Sequence, residues 1–352
     1  MDIRQIDKNF LQDGRFDAEK IKFYDVTEKP FALYGVFYDE GRGCFLRMPA
    51  ETAAAVSEGV AALTANTAGG RVRFSTDSEQ IVLYVRYRDL CRMSHMPLSG
   101  SGGFSLCENT PGGEKFICTV RPEWTDEKGF VRSAALAGGM RDYTLYFPLY
   151  NEVCELALGF DRSASVRGGL AYRDVKPILY YGSSITQGGC ASRPDHAYQA
   201  LISKKNNVDF INLGFSGNAL GERTMARYLA GIACSVAVID YDHNAPDAQH
   251  LAATHGELFR IFRETQPDVP VVFITKPDPE RDAEGGERRE IIRETYRKAV
   301  AEGDKNVLFI DGSGLFGDLH EECTVDGCHP NDLGFYRMSE VIGKAVDAAL
   351  KI

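Results

Sequence analysis

The sequence predicts an α/β protein in two parts, an antiparallel β-sandwich or jelly roll followed by a parallel sheet with helices on both faces. Three observations carry this expectation. The chain has 352 residues, 44% of them apolar, which at roughly 150 residues per domain is material for two cores. From about residue 30 to 170 apolar residues alternate with period two between turn clusters. Beyond Val175 they gather into short runs separated by helix-length segments. The expected divisions are a β-domain over 31–172 and a parallel-sheet domain over 173–352. Residues 1–30 are left as a segment packing across the C-terminal half.

Taken in order, Val72 and Phe74, then Ile81, Leu83, Val85 and Tyr87, then Tyr143, Leu145, Phe147 and Leu149 read as half-buried strands. Thr110-Pro111-Gly112-Gly113 between FSLCEN and KFICTV is a hairpin signal, and VCELALGF ends a strand before the Gly168-Gly169 break. The runs PILYYGS, DFINLGF, SVAVIDY, PVVFITK and NVLFID then alternate with helical stretches over 247–266, 286–302 and 332–350. In such sheets chemistry collects at the carboxyl ends of the strands. The charged stretch 280–298 reads as a solvated loop and helix face.

Lys and Arg number 40 against 50 Asp and Glu, a net charge of −10, with no basic run that could follow a phosphate backbone, so nucleic acid is not an expected partner. The opening MDIRQIDKNF has no apolar core of a leader, and no run of 18 apolar residues follows. The expectation is a soluble cytoplasmic protein with no membrane partner. Nine cysteines, an odd number scattered through apolar runs, fit reduced thiols. The charge is compatible with a monomer or a homo-oligomer.

The strand ends read Gly182-Ser183-Ser184-Ile185-Thr186, Gly214-Phe215-Ser216-Gly217-Asn218, Asp242-His243-Asn244 and Asp326-Gly327-Cys328-His329-Pro330-Asn331. Singly, each is an ordinary cap or turn. Together they supply the parts of an acyl-transfer site. Ser184 stands where a strand breaks into a helix, the position of a nucleophile. His329, three residues after Asp326, can hold one ring nitrogen against that carboxylate and turn the other to the serine as general base. The amides of Ser184 and Gly217 and the side chain of Asn244 can converge on a tetrahedral oxyanion. Neither metal nor organic cofactor is required.

The set Ser184, Gly217, Asn244 and His329 resembles the SGNH hydrolase superfamily, also called GDSL-type esterases, over residues 175–352. The resemblance implies a flavodoxin-like α/β/α domain and selects Ser184 over Ser183 as nucleophile. Two positions depart from the family pattern: Ser183 replaces the aspartate before the nucleophile, and Ala245 the acidic residue after the asparagine. The runs GSSITQGGCASRP, DFINLGFSGNALGE, DYDHNAPDAQHLAATH and CTVDGCHPNDLGFYRM are similar to a branch of two-domain bacterial carbohydrate esterases. Its N-terminal β-domain ends near a Gly-x-Asp-Leu-Tyr motif, here loosely matched by Gly139-Met140-Arg141-Asp142-Tyr143-Thr144-Leu145-Tyr146. That resemblance implies removal of acetyl groups from hemicellulose oligosaccharides such as mannan or xylan fragments. A short-chain or lipase-like acylhydrolase using the same triad, and a non-catalytic carbohydrate-binding protein, are the alternatives.

Four further residues are candidates for substrate contact. Trp124, the single tryptophan, can stack on a sugar or cover the seam between domains. Asp195 and His196 follow the GGCASRP loop at the expected rim. His243 precedes Asn244 and reads either as a substrate contact or as a structural histidine bonded to nearby backbone. His320, Cys323, Cys328 and His329 also have the spacing of a zinc knuckle, an arrangement that would leave Asp326 without a role. Cys328 as a nucleophile is awkward, since adjacent side chains in extended chain point apart.

Overall fold

A computed structural model of the chain describes residues 16–351. The first half folds as two antiparallel sheets. One has the order Ile21–Asp25, Val153–Asp161, Gln80–Tyr87, Gly129–Ala135. The other runs Val166–Gly168, Arg71–Thr76, Arg141–Tyr146, Phe104–Thr110, Gly113–Val120, with Ala32–Tyr34 also on Arg71–Thr76. Period-two alternation turns Ile81, Leu83, Val85, Leu156, Leu158 and Phe160 of one sheet onto Val72, Phe74, Leu106, Tyr143 and Leu145 of the other. The hairpin at Pro111-Gly112 closes on the pair Thr110 and Gly113. Residues 1–15 of the N-terminal segment lie outside the described residues. Within the rest, Ile21–Asp25 pairs along Val153–Asp161, so this stretch belongs to the sandwich rather than lying across the other half. Its Lys, Tyr and Asp between apolar residues had hidden a five-residue edge strand.

The second half is a five-stranded parallel sheet in the order Phe210–Gly214, Ile178–Gly182, Val236–Asp240, Val271–Ile274, Val307–Ile310. Both faces are apolar, as parallel sheets require. Ile178, Tyr180, Val236 and Val238 meet helices Tyr198–Asn206 and Asp332–Leu350 through Ile202, Phe335, Met338 and Ile342. Leu179, Tyr181, Ala237 and Ile239 meet helices Arg223–Ala230, Ala248–Thr265 and Gly285–Ala301 through Met225, Leu229, Leu251, Phe262 and Ile292. Among the described residues no helix is long and apolar enough to cross a membrane.

The two halves share their cores. After the strand Cys44–Leu46 the chain makes two short helices, Ala50–Val56 and Glu58–Leu63, and buries Met48, Ala53 and Val60 beside Leu213, Phe215 and Met225 of the parallel-sheet half. Past Tyr146, Leu149 and Tyr150 enter the core on the opposite face. Arg71 and Arg73, on the outward side of their strand, are almost fully buried. Arg71 is paired with Asp209 and donates to the Phe210 carbonyl, while Arg73 reaches Asn207 Oδ1 at 3.0 Å and Glu114 at 3.1 Å. The strand Phe210–Gly214 is one edge of the parallel sheet, and its outward carbonyls, two residues apart, need donors from outside the sheet. Arg71 supplies them at Phe210 (3.2 and 3.1 Å), and Arg47 supplies them at Asn212 (3.1 Å) and Gly214 (2.6 Å).

Candidate active site

The strand Ile178–Gly182 ends in a glycine because a methyl group there would overlap the Asp240 carbonyl and Thr186 Oγ1. Ser183 then turns the chain: its Oγ accepts the Ile185 amide at 3.2 Å, capping the short helix Ser184–Gln187, which Gly188 ends at φ +102°. Ser183 is wholly buried and engaged with backbone, whereas Ser184 keeps access to solvent and places Oγ 2.9 Å from His329 Nε2. Of the two hydroxyls, only that of Ser184 faces a base.

The base is held by a tight turn. Asp326 Oδ1 accepts the amides of Cys328 (3.0 Å) and His329 (2.7 Å), and Oδ2 accepts the His329 Nδ1 proton at 2.7 Å. Partial burial raises the carboxyl pKa, but these donors outweigh it and hold Asp326 at about 2. The carboxylate therefore fixes the proton on Nδ1 and leaves the Nε2 lone pair to accept from the serine. Two residues on, Asn331 caps the long C-terminal helix by accepting the Gly334 amide at 3.0 Å, which anchors the turn.

The three donors that the sequence assigns to an oxyanion come from three strand ends. The Ser184 amide occupies the first position of its helix, where no preceding turn offers a carbonyl. Phe215 to Asn218 form a four-residue turn closed by Asn218 N–H to the Phe215 carbonyl at 2.8 Å. Gly217 is its third residue at φ +68°, with open space where a side chain would be. Asn244 donates one Nδ2 proton to the Phe215 carbonyl at 2.8 Å, which leaves the amide a second proton to donate.

The remaining candidates lie elsewhere. Asp195 is wholly buried and ion-paired with Lys204 and Arg193, which keep its pKa lowered against the burial that raises it. His196 pairs through Nδ1 with Asp332 Oδ2 at 3.0 Å. Both brace the GGCASRP loop; Asp195, wholly buried, is not the substrate-facing rim residue the sequence suggested, while His196 remains partly exposed. The physical reason is that a buried carboxylate needs cations, and Arg193, two residues before Asp195, and Lys204, nine residues after it, supply them. His243 is half-buried and lines a small cavity with Lys276, Asp278 and Cys328, and its ring makes no backbone hydrogen bond among the described residues. Its Nδ1 is 3.9 Å from Cys328 Sγ, its Nε2 is buried without a partner among the described residues, and burial, with Lys276 and His329 nearby, lowers it to about 3. It is a neutral imidazole beside the turn that carries His329. Trp124 is 71% exposed on the loop between Gly113–Val120 and Gly129–Ala135, with the Arg92 guanidinium 5.9 Å from its ring. It covers no domain seam. The four residues of zinc-knuckle spacing go to different partners: His320 to Asp278 at 3.0 Å, Cys323 into the core, Cys328 to His243, and His329 to Ser184.

Two contributors from the N-terminal half were not foreseen. His95, exposed on the loop before the helix Leu98–Ser101, has its ring centroid 5.9 Å from that of His329. Tyr150 extends its hydroxyl to 3.4 Å from the Ser184 carbonyl. No motif marks a lone exposed histidine or a tyrosine at a strand exit. The dipeptide Gly188-Gly189 was a usable signal: a methyl on Gly189 would stand 3.2 Å from His329 Cδ2 and 3.0 Å from the Tyr150 hydroxyl.

The arrangement can activate a serine hydroxyl, stabilise a tetrahedral oxyanion and return a proton to a leaving oxygen. Residues 175–347 match the GDSL-like lipase/acylhydrolase family, and residues 21–166 match the GxDLY family, the N-terminus of SGNH-hydrolase-type esterases. No curated protein matches the chain. Among solved structures the chain is similar to a GDSL-like lipase from Bacteroides ovatus ATCC 8483 (28% identity, TM-score 0.85, covering 94% of this chain and 98% of that one). It shares its fold with the salicylyl-acyltransferase SsfX3 from a tetracycline biosynthetic pathway (19%, 0.79, 96% and 99%). The same holds for an acetyl xylan esterase, Est2A, from the rumen bacterium Butyrivibrio proteoclasticus (12%, 0.59, 94% and 99%).

Proposed function

The chain is an SGNH hydrolase of the GDSL type with a GxDLY-type N-terminal domain, and from that premise we propose that it removes O-acetyl groups from hemicellulose-derived oligosaccharides, mannan or xylan fragments, through an acyl-enzyme on Ser184. Ser184 Oγ attacks the ester carbonyl as its proton passes to His329 Nε2. The amides of Ser184 and Gly217 and the Asn244 side chain receive the oxyanion. His329 returns the proton to the departing sugar oxygen, and Asp326 holds the imidazolium that exists between these steps. Water activated by the same histidine then releases acetate.

The observation that carries the reading is the hydrogen-bonded series Ser184 Oγ, His329 and Asp326, at 2.9 and 2.7 Å. Support for a sugar as the alcohol part comes from the exposed His95 beside His329 and from the likeness in fold to an acetyl xylan esterase. All nine cysteines are free thiols, in keeping with a cytoplasmic site of action.

The test is mass spectrometry and NMR of acetylated manno- and xylo-oligosaccharides incubated with the wild type and with Ser184→Ala. Position-specific loss of acetate that vanishes in the variant is the expected result. Cleavage of 4-nitrophenyl acetate with no loss from any sugar would keep the esterase and overturn the carbohydrate assignment. In that case a chain-length series of nitrophenyl esters identifies the acyl group it prefers.

A further inference from the structure

Arg47 belongs to the N-terminal half, immediately after the strand Cys44–Leu46, yet its guanidinium lies 3% exposed in the other half of the molecule. Nη1 donates to the carbonyls of Gly214 (2.6 Å) and Asn212 (3.1 Å), Nη2 donates to the Leu63 carbonyl (2.7 Å), and the guanidinium carbon sits 4.7 Å from the centre of the Phe215 ring. Among the described residues it has no carboxylate partner, and its Nε is buried without an acceptor. A buried arginine stays charged, and taking that charge out of water without a counter-ion costs several kcal/mol even after relaxation. Gluing two domains together does not require this expense, because a hydrophobic contact would serve. Its position relative to the turn it holds supplies a reason.

Gly214 and Phe215 open the turn that carries the Gly217 amide, and the Phe215 carbonyl is also the acceptor that orients Asn244 Nδ2. Two of the three oxyanion donors therefore hang from the residues that Arg47 grips by carbonyl and by ring. Other side chains of the N-terminal half approach the same turn. Asn66 Oδ1 accepts from Gln187 Nε2 at 3.1 Å, and Gln187 Oε1 accepts the Ser216 amide at 2.9 Å. Gly59 is packed so closely on Asn218 that a methyl group would overlap its carboxamide. One nitrogen of the guanidinium, Nη1, reaches both edge-strand carbonyls while the other, Nη2, holds the Leu63 carbonyl of the N-terminal half, so the planar fork ties the two halves together in a way that the single nitrogen of a lysine does not reproduce.

We propose that Arg47 is a positioning residue of the oxyanion hole, so that the N-terminal half completes the active centre by fixing the turn Phe215 to Asn218. This rests on the esterase reading of Ser184 and is independent of which alcohol is deacylated.

The experiment uses the full chain with Arg47→Lys and Arg47→Met, measured on 4-nitrophenyl acetate at temperatures where circular dichroism shows each variant folded. Methaneboronic acid, whose tetrahedral adduct on a serine places an oxygen in the oxyanion hole, is titrated as inhibitor. The expected result is a kcat reduced about 10- to 100-fold, somewhat less than the loss of a direct donor, with KM within about threefold and boronate affinity falling in step with kcat. Arg47→Lys, which keeps the charge and most of the volume, remains informative if the methionine variant fails to fold, and is expected to recover only part of kcat. A folded variant with kcat within about twofold of wild type would overturn the proposal. So would a fall in kcat without a fall in boronate affinity. A wild type that cleaves no nitrophenyl ester would instead overturn the esterase reading and this proposal with it.

Discussion

Asp326 and His329 are bonded twice across one turn: Oδ1 accepts the histidine amide at 2.7 Å, and Oδ2 accepts its Nδ1 proton at 2.7 Å. The carboxylate thus sets the backbone that carries the imidazole as well as the tautomer of the ring. An amide in its place would present Nδ2 to Nδ1 or lose the backbone bond. Asp326→Asn is expected to lower kcat by about 10²- to 10⁴-fold with KM little changed. Steady-state kinetics on 4-nitrophenyl acetate checks this, and a loss below tenfold would show that the carboxylate does not set the tautomer.

Gly189 is pressed against the same imidazole. Its missing methyl would stand 3.2 Å from His329 Cδ2, 3.1 Å from the Ser184 carbonyl and 3.0 Å from the Tyr150 hydroxyl. The ring is the part free to yield, and a displacement of a few tenths of an ångström at Nε2 degrades the bond to Ser184 Oγ. Gly189→Ala is expected to reduce kcat by about tenfold or more while leaving the thermal midpoint within a few degrees. A variant with full turnover would mean that the imidazole accommodates the methyl without moving.

The hydrogen-bonded series Ser184, His329 and Asp326 and the strand-end positions of Gly217 and Asn244 were legible because each lies just past an apolar strand run, where position along the sheet is dictated by local sequence. The outward face of Arg71–Thr76 was not legible in the same way. Arg71 and Arg73 alternate with Val72 and Phe74 as a solvated face would, yet they are buried against Asp209 and Asn207 of the other half. Period two reports which side is polar and cannot report that the polar side meets another polar surface. The helices Ala50–Val56 and Glu58–Leu63 escaped for a related reason: they interrupt a run of strands and contribute few apolar residues, with Ala53 and Val60 the buried ones. Asp195 misled in the opposite sense, since a charged residue in a Gly-rich loop suggested a rim and the fold instead gave it two cations.

His95 and Trp124 are both exposed, and Arg92, three residues before His95, faces the Trp124 ring and donates to the Trp124 carbonyl at 3.0 Å. The loop carrying Arg92 leads to His95 and so to His329. A sugar chain leaving the catalytic serine along this path would meet His95 first and Trp124 later. His95→Ala is expected to raise KM severalfold for acetylated oligosaccharides of any length and to leave 4-nitrophenyl acetate unaffected. Trp124→Ala is expected to raise KM only for longer chains, with stacking contributing about 1 kcal/mol. Equal KM values across a length series in both variants would remove this path.

Asp242 ties block Asp242-His243-Asn244 to the neighbouring strand end by accepting the Lys276 amide at 2.9 Å. Burial pushes its carboxyl up to about 6, opposed by the Lys276 amide and by the charges of Lys276 and Arg288. The folded value lies above the ordinary 3.8 of the unfolded chain, so between these two values the folded state holds a proton that the unfolded state has lost. The contribution of Asp242 to stability is then present at low pH and is lost as pH rises through about 6. Asparagine can accept the same amide and has no proton to lose. Relative to wild type, Asp242→Asn is expected to gain stability steadily from pH 4 to pH 6 and to hold a constant difference above pH 7. Thermal midpoints of the two proteins at unit pH steps give the answer. A difference that does not change with pH would show that Asp242 is ionised throughout, with Lys276 and Arg288 outweighing its burial.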